Sequence, residues 1–504
     1  MTFFETLLLL LTIAVGLLPL AHRLSIPYPT MLAAAGVVLA LVPNMPAIHL
    51  DPATALALFI APALCDAAYE FPAGTVRRLW RPLIAFAVIA VVLSTAAVAW
   101  IGVAVAGLSL FAAIALGAIV APPDAVAATA ILGTVRMPRR TVSILKGESL
   151  LNDATALLLF TAAVSLQSHG TSDGALALKL GLAVPGGLVL GVVLAGLLKY
   201  LLRFFEGMLS GYLLEYLASF AAWIVAEHLG LSAVLCVVAF AMTLARSTSL
   251  STAPRVRLHT AAVSHTSVLL LNVLAFLLMG IQAQTIVSAM SADRLRQAAW
   301  FAGAVIACVV VVRIAWVLVY NGLARRFDTL RGEGPASTLR QDLLLGWCGM
   351  RGLVTLAAAI ALPTAFPQRD LIVLTAFAVV LATLVLQGLS LAPLVRLLGL
   401  DGEDGLAAEL AAARADLIST ALAALSGEKG AVADHWRLEF GLAQSSPGTK
   451  RSLGLRALAR ERERLEALYL EQQVGPEAYA ILQEDLDFAE VALSSECDKR
   501  LEEG

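Results

Sequence analysis

Apolar residues run along this chain in blocks of about 20, the length a helix needs to cross the hydrocarbon core of a bilayer. Thirteen such blocks lie near 3–21, 27–43, 53–71, 82–106, 108–132, 142–166, 175–200, 211–228, 231–245, 265–288, 298–320, 341–362 and 370–397. Short polar stretches separate them, the slightest around Gly230. The first block holds Glu5 and has no Lys or Arg ahead of it, so it lacks the basic start of a secretory signal and reads as a retained span. Beyond residue 400 the pattern changes to helical periodicity at 405–425, 452–473 and 476–494. Gly427, Gly430 and the run Ser445-Ser446-Pro447-Gly448 divide these pieces. The expected architecture is an all-α polytopic membrane protein, with a transmembrane domain over 1–400 and a helical tail over 401–504.

Composition sharpens that picture. Of 504 residues, 59% are hydrophobic and 14% charged, against about 45–50% apolar and about 25% charged in soluble domains. So apolar a chain cannot hide its surplus in a water-soluble core, which excludes an ordinary soluble enzyme or nucleic-acid binder. The net charge of −2 conceals a division between +8 over 1–400 and −10 over 401–504. The two parts are built for different solvents. The inter-span segments divide as sharply: one alternating set carries 17 Lys and Arg and the other 4. By the positive-inside bias the N-terminus is expected outside and the tail in the cytoplasm, in a cell (plasma or inner) membrane. The five cysteines, Cys65, Cys236, Cys308, Cys348 and Cys497, are odd in number and form no CxxC, so neither a disulfide framework nor a zinc site is expected.

Ionisable groups at membrane depth are costly unless paired or turned to a cavity, so each is a functional candidate. The deep set is Asp66, Asp124, Glu148, Asp153, Arg313 and Arg351, with Glu70, Glu215 and Glu227 nearer span ends. Two arginines against four acids leave a carboxyl uncompensated, and such a group in low dielectric can exchange protons near neutral pH. In Gly147-Glu148-Ser149-Leu150-Leu151-Asn152-Asp153-Ala154 the i, i+4 spacing stacks Ser149 with Asp153 and Glu148 with Asn152. The first pair offers oxygen ligands for a hard cation. In Ala121-Pro122-Pro123-Asp124 two prolines remove two amide donors at mid-span and free carbonyls as further ligands, with Asp124 placed to cap the restarting half-helix. Such breaks at the midplane are a transporter device. In Gly346-Trp347-Cys348-Gly349-Met350-Arg351-Gly352 three glycines allow close approach or unwinding around Arg351, whose expected partner is Glu148.

Together, GESLLNDATAL, APPDAVAATAI and GMRGLVTLAAAIALP resemble the monovalent cation:proton antiporter family, in the branch of bacterial sodium/proton antiporters related to eukaryotic sodium/proton exchangers. The resemblance covers residues 1–400. It implies inverted repeats with discontinuous crossing helices, a homodimer, and transported Na+ and H+ with no cofactor. It also implies Asp153 as the acid that holds a proton or a cation in turn, with Ser149 and Asp66 lining the Na+ site. Glu148 and Arg351 would form a structural ion pair, Asn152 and Asp124 would steady the crossing, and Arg313 matches a deep arginine of the family. Where many members have Thr-Asp-Pro, this chain has Pro123-Asp124-Ala125, so only the Pro123 carbonyl serves there. With a neutral Asn152 beside Asp153 and Glu148 held in its pair, exchange is expected to be 1:1 and electroneutral. K+/H+ exchange is the nearest rival. An intramembrane aspartyl protease using Asp124 and Asp153 is a distant one, since neither aspartate follows a Gly-x-Gly turn.

Overall fold

A computed structural model describes most of residues 8–20 and residues 28–39, 52–71, 73–124, 139–169, 174–205, 209–248, 254–331, 337–400, 405–445, 447–470 and 476–493. The expectations touching residues 3–7, 40–43, 125–132, 471–473 and 494, the loop residues Arg23 and Arg136, the side chain of Glu70, and Cys497 lie outside the described residues.

All regular structure among the described residues is helical, as the apolar blocks require. The membrane unit begins with helical residues between 8 and 20, followed by α1 (Tyr28–Leu39), α2 (Pro52–Glu70) and α3 (Ala73–Ile84). A π turn, Ala85–Ile89, joins α3 to α4 (Ala90–Ala106), and α5 (Leu110–Val120) follows. Next come α6 (Arg139–His169), α7 (Gly174–Leu202), α8 (Leu209–His228), α9 (Ala233–Thr248), α10 (Pro254–Ala289) and α11 (Ala292–Arg326). The series ends with α12 (Leu339–Trp347), α13 (Leu353–Ile360) and α14 (Arg369–Leu398).

Among the described residues six helical stretches are long and apolar enough to cross a membrane: Gly74–Ala106, Thr141–Gln167, Gly181–Phe205, Thr266–Ala289, Ala292–Arg326 and Arg369–Leu398. Thr54–Tyr69, Leu110–Val120 and Ala233–Arg246 are shorter apolar helices. The block expected as one span over 341–362 is two helices, α12 and α13, separated by the non-helical residues Cys348–Gly352. A capping box starts α12: the Thr338 hydroxyl accepts from the Gln341 amide at 3.3 Å while the Gln341 side chain accepts from the Thr338 amide at 3.0 Å.

With no water to reward apolar contact inside a bilayer, helices join by close approach at small residues. Gly36 of α1 and Gly280 of α10 face each other so closely that a Cβ on Gly280 would strike the backbone at Ala33 and Val37. A large apolar core runs through the unit, with Phe59, Leu116, Phe240, Leu277 and Leu356 buried in it, beside a small cluster of Val91, Ala121 and Ala156.

Residues Glu403–Glu503 form a separate compact unit, distinct from Met1–Gly402. It contains α15 (Gly405–Leu425), α16 (Ala431–Ser445), α17 (Pro447–Leu470) and α18 (Pro476–Leu493). The sequence reading left out α16, whose start follows Gly430 at φ 126°; the two glycines there obscured the amphipathic run beyond them. Arg462 clasps α17 to α18 through Asp487 and Glu490. The hydrogen bond from Asp487, followed by the charges of both acids, lifts the guanidinium pKa above its ordinary range.

Candidate cation site

The site is made by the non-helical end of α5, the break between α12 and α13, and the polar stripes of α6. The Ala121 amide closes the last turn of α5 on Gly117 at 2.9 Å, and Pro122 and Pro123 then supply no amide to continue it. The carbonyls at that end carry the negative pole of the half-helix. Arg351 neutralises them: its Nε donates to the Val120 carbonyl at 3.0 Å and its Nη2 to that of Ala121 at 3.5 Å. Its Nη1 donates to the Gly349 carbonyl beyond the end of α12. One fully buried guanidinium thus serves the C-terminal ends of two half-helices.

Asp124 does the converse at the opposite pole. Its amide donates to the Met350 carbonyl at 2.7 Å, and its Oδ2 accepts from the Leu353 amide at 3.3 Å at the start of α13. The sequence reading had Asp124 capping the half-helix that follows it. The residues after Asp124 lie outside the described ones; among the described residues Asp124 caps α13, whose Leu353 amide it meets. Gly352 is what permits the approach, since a Cβ there would overlap the Asp124 carboxylate. Gly352→Ala is expected to lower the melting temperature of the purified protein, an overpacking cost of about 1–3 kcal/mol. Gly303→Ala, at a helical position with open space around it, is expected to leave melting unchanged or raise it.

Glu148 is paired with Arg313, not with Arg351. The Arg313 guanidinium donates through Nη1 to Oε1 and through Nη2 to Oε2 at 3.0 Å, a two-pronged bond between side chains 4% and 1% exposed. The expected Glu148–Arg351 bond is therefore overturned. Arg351 lies in the break, where unsatisfied carbonyls compete for its donors, while Arg313 projects from α11 toward α6. On the same stripe of α6, the Asn152 Nδ2 donates to the Pro123 carbonyl at 2.9 Å and ties the helix to the first break. The carbonyls of Val120, Ala121 and Pro123 are thus occupied by Arg351 and Asn152, and Pro123 keeps only its second lone pair.

Asp153 sits on the neighbouring stripe, 6% exposed, with Ser149 half-buried one turn before it. Among the described residues no arginine or lysine pairs with Asp153; its charged neighbour is Asp124. Asp66, on α2, accepts from the Ser264 hydroxyl of α10 at 2.6 Å. The structure thus gathers Asp153, Ser149, Asn152, Asp124, Glu148, Arg313, Arg351 and Pro123 around the crossing, while Asp66 stands on α2, bonded to Ser264 of α10.

Two participants escaped the sequence reading. The Thr383 hydroxyl of α14 accepts from the Arg351 amide at 3.1 Å and fixes the second break from behind; a lone threonine in an apolar helix gives no signal. Asp342 is 1% exposed and binds Asn321 Nδ2 at 2.7 Å and the Arg325 guanidinium. Asn321 and Arg325 are four apart on α11, a stripe visible in the sequence once Asp342 is counted among the buried acids.

Membrane-length helices around two crossed breaks, with dipole ends neutralised and one acid left without a cation, define a secondary transporter. Residues 8–397 match the family model described as "Sodium/hydrogen exchanger, transmembrane", and the chain belongs to that family. It is 30% identical over 417 residues to an uncharacterized Na(+)/H(+) exchanger of Mycobacterium bovis, spanning 81% of this chain and 76% of that one. It is 29% identical over 398 residues to the low-affinity Na(+)/H(+) antiporter NhaS1 of Synechocystis, spanning 77% and 73%. The sodium proton antiporter MjNhaP1 from Methanocaldococcus jannaschii at pH 8 shares the fold, with a TM-score of 0.60 over 77% of this chain and all of that one, at 17% identity.

Proposed function

We propose that the protein exchanges Na+ for H+ across the membrane, one for one, with Asp153 as the single group that both ions occupy in turn. The observation that carries this reading is the charge balance of the site. Glu148 is neutralised by Arg313. Asp124 and Arg351 each offset a helix pole of opposite sign and cancel one another in net charge. Among these residues of the crossing what is left is one negative charge on Asp153, and one proton or one monovalent cation neutralises it. Equal charge in the two loaded states makes the exchange electroneutral, now with Arg313 in the role first given to Arg351.

Ser149, one turn from Asp153, is the nearest hydroxyl ligand on the same stripe, and the Pro123 carbonyl contributes its free lone pair. Asp66 enters as a lining group of the pathway. The names of the relatives favour Na+ over K+. In everted vesicles with a ΔpH-sensitive dye, Na+ and Li+ are expected to dequench strongly and K+ weakly. An imposed membrane potential is expected to leave the initial rate unchanged; acceleration of the rate would rule out 1:1 stoichiometry. The excess of basic residues on alternate loops supports an outside N-terminus and a cytoplasmic tail, and the family resemblance supports a homodimer. Cysteine accessibility in sealed vesicles and crosslinking in the membrane test those two points.

A further inference from the structure

Away from the crossing, a cavity of about 460 Å³ opens between the start of α3 and the end of α9, lined by Val76, Arg77, Trp80, Met242 and Arg246. Its charge is wholly positive. Arg77 and Arg246 come from different helices, both are exposed, and among the described residues neither has an ion pair or hydrogen bond. The neighbouring Arg81 is engaged: its guanidinium lies 5.1 Å from the Trp80 ring and donates to the Thr329 carbonyl. Two unpartnered guanidinium forks across an open cleft suit a phosphate, whose oxygens accept from both at once.

The position of the cleft selects the kind of phosphate. Gly74 begins one membrane-length stretch and Arg246 ends an apolar helix, so the cavity lies at the depth where headgroups meet the hydrocarbon. Trp80 is 50% exposed there, the amphipathic residue typical of that boundary. Val76 and Met242 add an apolar wall, which a free phosphate would not use and a glycerol and acyl chain would. Basic pockets between membrane helices hold anionic headgroups by this combination. We propose that this cleft is a binding site for the phosphate headgroup of an anionic phospholipid, bridged by Arg77 and Arg246 and backed by Trp80.

The lipid would link two helices with different main neighbours. α3 packs on α6, whereas α9 packs mainly on α7, α2 and α8, with a smaller contact to α6. A bound headgroup therefore braces helices that otherwise barely meet at this end. The inference does not depend on which ion is transported, and its test measures binding alone.

The full chain, purified in detergent, is titrated with phosphatidylglycerol, phosphatidylcholine or inorganic phosphate, with lipid adducts counted by native mass spectrometry and melting followed in parallel. Phosphatidylglycerol is expected to bind and raise the melting temperature, and phosphatidylcholine to do neither. Removing each arginine is expected to weaken phosphatidylglycerol binding about fivefold, and Arg77→Gln with Arg246→Gln about 25-fold. Trp80→Ala is expected to weaken it further, with Arg77→Lys and Arg246→Lys retaining part of the affinity. Undiminished phosphatidylglycerol binding in the double glutamine variant would overturn the site. Equal stabilisation of the wild type by millimolar inorganic phosphate, abolished by the same double variant, would overturn the lipid assignment and leave a soluble anion as the ligand.

Discussion

Asp153→Asn is expected to reduce Na+-driven proton movement to the level of vesicles lacking the protein, while the variant folds as well as the wild type or better. Both halves follow from one fact. The Asp153 carboxyl is buried with no cationic partner among the described residues, so its charged form is held against a desolvation cost that a neutral amide does not incur. An amide of the same shape neither takes up a proton at neutral pH nor balances the charge of Na+, and transport ends. Dye-reported ΔpH gives the first half and melting of the solubilised protein the second. A variant inactive only because it unfolds would show loss of both, and persistent Na+-dependent dequenching would remove Asp153 from the mechanism. Asp153→Glu keeps the charge and displaces it by one methylene, so reduced but measurable exchange is expected.

The second large effect concerns the buried pair. Removing Arg313 alone leaves Glu148 charged, 1% exposed and without its partner, and Glu148→Gln leaves Arg313 equally stranded. Each single change is expected to destabilise by about 3–5 kcal/mol, whereas the double replacement by Gln and Met is expected to recover most of the loss. A double-mutant cycle on melting therefore shows strong coupling between Glu148 and Arg313. The corresponding cycle between Glu148 and Arg351 is expected to show much weaker coupling, because the donors of Arg351 are spent on the carbonyls of Val120, Ala121 and Gly349. Coupling of the reverse order would mean that Arg351 is the true partner and that the charge balance around Asp153 must be redrawn.

The Arg351 case marks where reading the chain reaches its limit. Span length, the i, i+4 stripes of α6 and the proline break are local properties, and each was legible from the residues themselves. Ser149 with Asp153, Glu148 with Asn152, and the interruption at Pro122-Pro123 stand where the spacing put them. The break in the block over 341–362 was only half legible: three glycines allow unwinding, but a glycine-rich helix can equally stay intact when its neighbours demand no gap. The omission of Asp342 has a similar cause. Near the start of a span an acid reads as a water-exposed end, and only its contact with Asn321 and Arg325 shows that it is buried.

The amino-acid sequence by itself determined that this protein spans a membrane and that deep carboxyls are left over once two deep arginines are assigned. Those conclusions rest on hydrophobic length and on counting charges, which need no knowledge of neighbours. Tertiary structure alone decided which arginine meets Glu148, since Arg313 and Arg351 carry the same charge and stand 165 and 203 residues away along the chain. It also decided that Asp124 meets the start of α13. Bringing the end of α5 against the break between α12 and α13 sets each exposed pole on a side chain from the other, and a linear chain holds no record of that meeting.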